Sequence, residues 1–238
     1  MKVLGEYLNN YSEREKNKLP QIAVFDVCNT MFYSNTTHDF VDYVFNQKFL
    51  PSKRNFYKIF NSKLNPLRYS FILISVLVGL DLYKKINVYL LKGLTHDEFS
   101  QLSKRFVAEF LQDKQINQTQ LLINKCKKEK LRVILCSSSL DPIVEAIANS
   151  IEVEDFVCTT LKFKDQIFTG IISEEIADKK LQALKKKRIS GEIKYAISDN
   201  EGDVSLLQIA QYPIAVIHNN KDFEFWSRYS VKTIDLRL

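Results

Sequence analysis

The chain is predicted to fold as an α/β protein: a parallel sheet core with helices on both faces and an inserted helical domain. Three observations predict it. Ile22-Ala23-Val24-Phe25 is an apolar run that ends in a single carboxylate, Asp26, and then turns polar. Such a run reads as a buried strand that delivers Asp26 to the C-terminal edge of a sheet, where open α/β folds keep their chemistry. The next strand of this kind does not begin until about Leu131, and the residues between carry helical patterns. From there to about residue 217, helical and strand patterns alternate, which is the mark of a parallel sheet.

The elements follow in order. The core domain is predicted to comprise residues 1–34 and 119–238, and the insertion residues 35–118. Within the insertion, helices are predicted over residues 39–49, 53–60, 67–82 and 95–111, with Pro51 and Pro66 as punctuation and Thr95-His96-Asp97-Glu98 as a helix start. Residues 71–80 are continuously apolar between Arg68 and Asp81, too short a run to span a bilayer. The expectation is a buried helix of the insertion; the alternative is an interfacial helix that touches a membrane surface or an apolar substrate tail. Beyond the insertion a helix is predicted over 118–130, a strand ending at Cys136, a helix from Asp141, and a strand over 156–159. A hairpin-like stretch at 161–170, a helix reaching 187, a strand over 193–198, a helix after Asp203 and a strand over 213–217 complete the chain.

A length of 238 residues buries one substantial core and fits a core plus an insertion better than two equal domains. Apolar residues make up 45% and charged residues 26%, an ordinary balance for a globular protein that does not indicate disorder. With 34 Lys+Arg against 28 Asp+Glu the net charge is +6, a bias that steers anionic substrates or surfaces. The basic clusters at 127–130 and 179–188 read as solvated helix faces, and without interleaved aromatics they do not argue for nucleic acid. Cys28, Cys126, Cys136 and Cys158 have no Cys-x-x-Cys spacing, so zinc is not expected; they look like reduced residues of a cytoplasmic protein. Residues 1–19 are charged and lack the apolar centre of a signal peptide, which agrees with a cytoplasmic location.

Four motifs carry the chemistry. Asp26-x-Cys28-x-Thr30 resembles the first motif of the haloacid dehalogenase (HAD) superfamily, Asp-x-Asp-x-Thr, with its second Asp replaced. The run Arg132-Val133-Ile134-Leu135-Cys136, ending in Ser137-Ser138-Ser139 and followed by Asp141-Pro142, resembles the second, with Ser137 at the matching position. Lys180, at the head of a helix, resembles the lysine of the third motif, and Lys179 is the competing assignment. Tyr195-Ala196-Ile197-Ser198-Asp199-Asn200-Glu201-Gly202-Asp203 resembles the fourth, Ser-Asp-x-x-x-Asp. The order is the family's, and the segments Leu91-Lys92-Gly93-Leu94-Thr95 and 161–170 suit its phosphoserine phosphatase-like branch.

This resemblance implies a Rossmann-like core whose helical insertion is a cap that closes over the site and selects the substrate. It implies a Mg²⁺-dependent phosphohydrolase or phosphotransferase acting on a small phosphorylated metabolite. Asp26 would be the nucleophile; Ser137, Ser138 and Lys180 would hold the phosphate; and Mg²⁺ would bind Asp26, Asp199 and the backbone carbonyl of Cys28. Thr30 and Asp203 would support the site, although Asp203 also reads as the N-cap of its helix. Cys28 is the departure, because a thiol is a weak donor and cannot replace a carboxylate in acid/base work. His38 and Asp39 of the insertion are candidate substitutes. Two other readings stay open: a degenerate phosphate-binding module, and a metal-independent dehalogenase-type hydrolase, against which the acidic fourth motif argues.

Overall fold

The computed structural model describes residues 20–47, 49–79 and 81–237, so the reading of residues 1–19 lies outside the described chain. Seven strands form one sheet: β1 (Gln21–Phe25), β2 (Arg132–Leu140), β3 (Asp155–Lys164), β4 (Ile167–Glu174), β5 (Glu192–Ser198), β6 (Tyr212–Ile217) and β7 (Lys232–Asp235). Their order is β4-β3-β2-β1-β5-β6-β7, and every adjacent pair is parallel except β3 and β4. The parallel sheet expected from sequence is present, with one antiparallel strand at its edge. Asp165 and Gln166, both left-handed with φ of 50° and 62°, form the two-residue turn that folds β4 back on β3. The predicted hairpin is present, and it extends the strand expected over residues 156–159.

Alternation within the strands covers both faces of the sheet. Ala23 and Phe25 of β1 and Val133 and Leu135 of β2 join one core, whereas Ile22, Val24, Ile134 and Cys136 join the other. The first core is roofed by residues between β1 and β2 and by the helices flanking β2. The helices on this side are α1 (Thr36–Asn46), α2 (Pro51–Asn61), α3 (Pro66–Val78), α4 (Leu82–Tyr89), α5 (His96–Phe106), α6 (Asn117–Lys128) and α7 (Asp141–Ser150), and all but α3 put buried side chains into this core. The second is closed by α8 (Lys180–Lys186), α9 (Val204–Gln208) and α10 (Asn220–Trp226), with Trp226 almost fully buried.

Local chemistry sets the helix ends. Thr95 and Glu98 complete the capping box anticipated there: the Glu98 N–H donates to Thr95 Oγ1 at 3.2 Å, and the Thr95 N–H to Glu98 Oε2 at 2.7 Å. The helix predicted over 67–82 ends early, because Gly79 turns left-handed at φ 64° and Asp81 then caps a separate helix, α4. The expectation of a buried helix over 71–80 is also overturned. No described side chain of α3 is buried, and Leu67, Leu73 and Leu77 are each more than half exposed. The main neighbours of α3 are α2 and α4, which hold it off the sheet. α5 is followed by a π-type turn, Val107–Leu111.

β2 runs through the serines rather than stopping at Cys136. Its register with β3 is regular from Ile134 opposite Asp155 to Ser137 opposite Cys158, then shifts so that Leu140 faces Thr159. Such irregularities re-aim side chains at the ends of sheets. The four cysteines are free thiols; Cys126, Cys136 and Cys158 are buried and Cys28 partly so.

Candidate active site

Three adjacent strands, β2, β1 and β5, run in parallel to one edge, where β1 and β5 end and β2 continues through its serines. Phe25 lies opposite both Leu135 and Ile197, so Asp26, Ser137 and Asp199, each just past its own aligned pair, converge on one edge. The Asp26 N–H donates to the carbonyl of Ile197 at 2.9 Å, which fixes this residue against β5. Its side chain is 6% exposed.

Lys180 enters this group from the first turn of α8. Its ammonium, almost fully buried, lies 2.7 Å from Asp26 Oδ1 and 2.6 Å from Asp203 Oδ2. Lys179 precedes the helix and is exposed, so Lys180 is the lysine brought to Asp26. Ser198 Oγ also donates to Asp203 Oδ2, at 2.5 Å. Asp203 stands at the N-cap position of α9 but makes no side-chain cap hydrogen bond there; its carboxylate instead shares the lysine with Asp26. Thr30 joins the remaining carboxylate: its hydroxyl donates to Asp199 Oδ1 at 2.9 Å and accepts from the Asp199 N–H at 3.0 Å, with a longer contact to Asp26 Oδ2 at 3.5 Å. Thr30 is held in turn by Thr119, whose hydroxyl donates to its carbonyl at 2.7 Å.

Electrostatics follow from this crowding. Burial pushes Asp26 up to about 6, with Asp199 adding to the rise and Lys180 opposing it. Asp199 and Asp203 are raised too, chiefly by burial, while the paired carboxylates hold the Lys180 ammonium well above the usual lysine range against its desolvation. Two carboxylates this close favour a cation between them, and carboxylate oxygens suit a hard divalent ion. Asp26 and Asp199 fit Mg²⁺ in charge and donor type. Among the described residues no three His, Cys, Asp or Glu side chains form a metal cluster, so backbone oxygen and water would have to complete the shell.

On the other side of Asp26, Cys28 Sγ lies 3.0 Å from Thr36 Oγ1. Thr36 donates its one hydroxyl proton to Ser139 Oγ at 2.7 Å, which leaves the thiol to donate to Thr36. Burial, and next the Asp26 charge, push the Cys28 thiol up, so it stays protonated. Ser137 is buried and its Oγ accepts from the Ser139 N–H at 3.2 Å; Ser138 is half-buried at the rim. His38 stacks on Tyr83 with ring centroids 5.3 Å apart, and Asp39 accepts from Ser34 Oγ at 2.6 Å. Asp39 is also 3.8 Å from Lys114, so it is engaged away from Cys28.

Residues 23–208 match the family model described as haloacid dehalogenase-like hydrolase. The chain belongs to that family. Solved structures with the same fold include a protein of unknown function from Bordetella pertussis Tohama I, with a TM-score of 0.73 at 16% identity over 92% of this chain and 100% of that one. A phosphoserine phosphohydrolase-like protein from Francisella tularensis has a TM-score of 0.57 at 16% identity, covering 90% and 94%. A substrate-bound phosphoserine phosphatase has a TM-score of 0.54 at 18% identity, covering 91% and 93%. No curated protein matches by sequence.

Sequence reasoning missed several residues around this HAD-type constellation. Lys84 of α4 is buried and donates to the carbonyl of Ser138 at 2.7 Å and to Glu175 Oε2 at 2.8 Å, tying the inserted helices to the serine loop. One lysine of the Lys84-Lys85 pair, just past the helix predicted to end at 82, gives no signal of this. Thr36 and Ser139 were equally hidden, although two hydroxyls flanking the motif positions are a weak hint. The His218 ring donates to the carbonyl of Asn29 at 2.5 Å, bracing the left-handed turn at Asn29, where φ is 48°.

Proposed function

We propose that this HAD-like hydrolase is a Mg²⁺-dependent phosphomonoester hydrolase or phosphotransferase that works on a small phosphorylated metabolite through a phosphorylated Asp26. The supporting observation is the buried Lys180 ammonium shared by Asp26 and Asp203 at the end of β1, beside Asp199. That grouping supplies an anionic nucleophile and a fixed cation for phosphate in one place. Residues 1–34 and 119–238 form the core in this reading, and residues 35–118 the cap.

An oxygen of Asp26 attacks phosphorus and the ester P–O bond breaks, its electron pair leaving on the alcohol oxygen. The departing oxygen takes a proton from solvent; water then attacks the phosphorus of the aspartyl phosphate, its P–O bond to Asp26 breaks with the electron pair returning to the carboxylate, and the water's proton goes to solvent as phosphate is released. Lys180 neutralises the nucleophile and one phosphoryl oxygen; Ser137 donates to another, and Ser138 is the rim donor. Asp26, Asp199 and the Cys28 carbonyl would hold Mg²⁺, with Thr30 orienting Asp199. When bound, the ion would offset charge on the phosphate. Cys28 contributes little to leaving-group protonation, since its S–H is directed to Thr36.

The same feature favours one second reading, a phosphate-binding module without turnover. A panel of alkyl, aryl and acyl phosphates, assayed with and without Mg²⁺, decides between them. Mg²⁺-dependent release of phosphate, abolished by Asp26→Asn, is the expected result. Asp199→Ala should lose Mg²⁺ affinity in calorimetric titration. Mg²⁺-dependent phosphate binding with no release from any ester would establish the binding module, and wild-type turnover in Asp26→Asn would remove Asp26 from the chemistry.

A further inference from the structure

From Tyr43 to Leu80 the chain has no acidic residue, yet it carries six basic ones: Lys48 and, among the described residues, Lys53, Arg54, Lys58, Lys63 and Arg68. Among the described residues, none of these five forms an ion pair with a carboxylate. Lys53 and Arg68 donate to backbone carbonyls of Leu90 and Asn61, both at 3.1 Å, whereas Lys58 and Lys63 are exposed. The same α2–α3 hairpin displays large apolar side chains to solvent: Ile59 is 67% exposed, Leu64 at the turn 92%, and Leu77 75%. Exposed apolar surface concentrated on one projection, rimmed by polar groups, marks a docking surface.

We infer that this hairpin docks on an anionic lipid surface, with α3 lying in the headgroup layer and its apolar side chains inserted. Charge and length both point there. At about 1.5 Å per residue the thirteen-residue α3 is about 20 Å long, short of a hydrocarbon core of about 30 Å. No described helix is long and apolar enough to cross a membrane, so α3 lies on the surface rather than through it. Basic residues next to exposed Leu, Ile and Phe match the layering of a bilayer that offers anionic phosphates above an apolar interior. A second copy of the chain is a poor occupant. A two-fold contact through this hairpin would oppose unpaired cations to each other without one carboxylate from either hairpin. The base of the hairpin continues the apolar surface into a cavity of about 400 Å³ whose lining includes Phe71, Leu82, Ile86 and Tyr89, with Lys85 beside them.

This inference is independent of phosphatase chemistry, and its test is a sedimentation assay of the full chain with vesicles. The chain should bind phosphatidylcholine vesicles containing phosphatidylglycerol, fail to bind phosphatidylcholine alone, and be released by raised salt. Leu73→Glu/Leu77→Glu should abolish binding, and Lys58→Glu/Lys63→Glu should weaken it by at least roughly 25-fold, about fivefold for each cation removed. Both variants should keep the wild-type circular dichroism spectrum and melting temperature, because the altered side chains are exposed. Lys185→Glu/Lys186→Glu, on the basic α8, should bind as the natural chain does, and so should Asp26→Asn. Binding that ignores anionic lipid, survives both hairpin variants, or is lost in the α8 variant would overturn the inference. So would a dimer in solution that Leu73→Glu/Leu77→Glu converts to monomer, since the occupant would then be a second copy.

Discussion

Asp26 and Asp203 share one ammonium in a pocket that water barely reaches, and the whole local charge balance hangs on Lys180. Removing that cation leaves two buried carboxylates facing each other. Lys180→Met should therefore cost about 3–5 kcal/mol of stability near neutral pH, read by denaturant unfolding, even though Met fills similar space. The loss should shrink in acid as the carboxylates protonate. Cys28 presents the opposite case, a group too weak for its position. Cys28→Asp should raise turnover of alkyl phosphates by about 10²–10⁴-fold and of aryl or acyl phosphates much less, because good leaving groups need little protonation. An equal gain for all leaving groups would show that the new carboxylate acts otherwise than as an acid. Asp26 and Asp199 were legible because a carboxylate at the end of a buried apolar strand is costly to desolvate, so its presence there marks a site. The choice between Lys179 and Lys180 was not, since one step at a helix start turns a side chain by about 100° and no pattern in a lysine-rich stretch registers that. Thr36, Ser139 and Lys84 act through contacts between distant segments, which local spacing does not encode.

Among the elements, α7 carries a titratable group at its start. Asp141 accepts the Leu161 N–H at 3.2 Å, and burial pushes its carboxyl up to about 6. A carboxyl whose folded-state value is raised holds its proton more tightly in the folded chain. Its contribution is complete below the ordinary carboxylate range, and it is lost as pH rises through about 6. Asp141→Asn keeps the acceptor and removes the buried charge, so it should stabilise the protein by about 1–2 kcal/mol at pH 8 and change little at pH 4. Equal melting shifts at both pH values would contradict the assignment. Element existence was largely legible here. The helix start at Thr95 announced itself through local side-chain chemistry. The break at Gly79 did not, because the apolar run continues on either side of it, and hydrophobicity alone suggested burial for a helix that has no sheet beneath it.

For the whole molecule, the parallel sheet and its long insertion were readable because both sheet faces are covered and strands of that kind become continuous apolar runs. The antiparallel edge was legible only as the hairpin-like stretch at 161–170, since β4 has the half-exposed pattern of a hairpin arm. That edge also bears on how the molecule comes apart. The Gly93 N–H donates to the carbonyl of Phe168 at 3.0 Å, the Phe168 N–H to Leu94 at 2.8 Å, and the His96 N–H to Gln166 at 2.8 Å. The segment leading into α5 is thereby stitched to β4 by main-chain bonds, while α3 has no buried side chain among those described. Hydrogen–deuterium exchange should divide the insertion accordingly. The amides of Phe168 and the body of α5 should exchange only with global unfolding, and those of α3 through far cheaper local opening. The stretch between β1 and β2 would then behave as two cooperative units: α3 opens by itself, while α1, which packs Phe40 and Tyr43 on Phe99 and Phe106 of α5, and α4, which lies on β4, stay with the core.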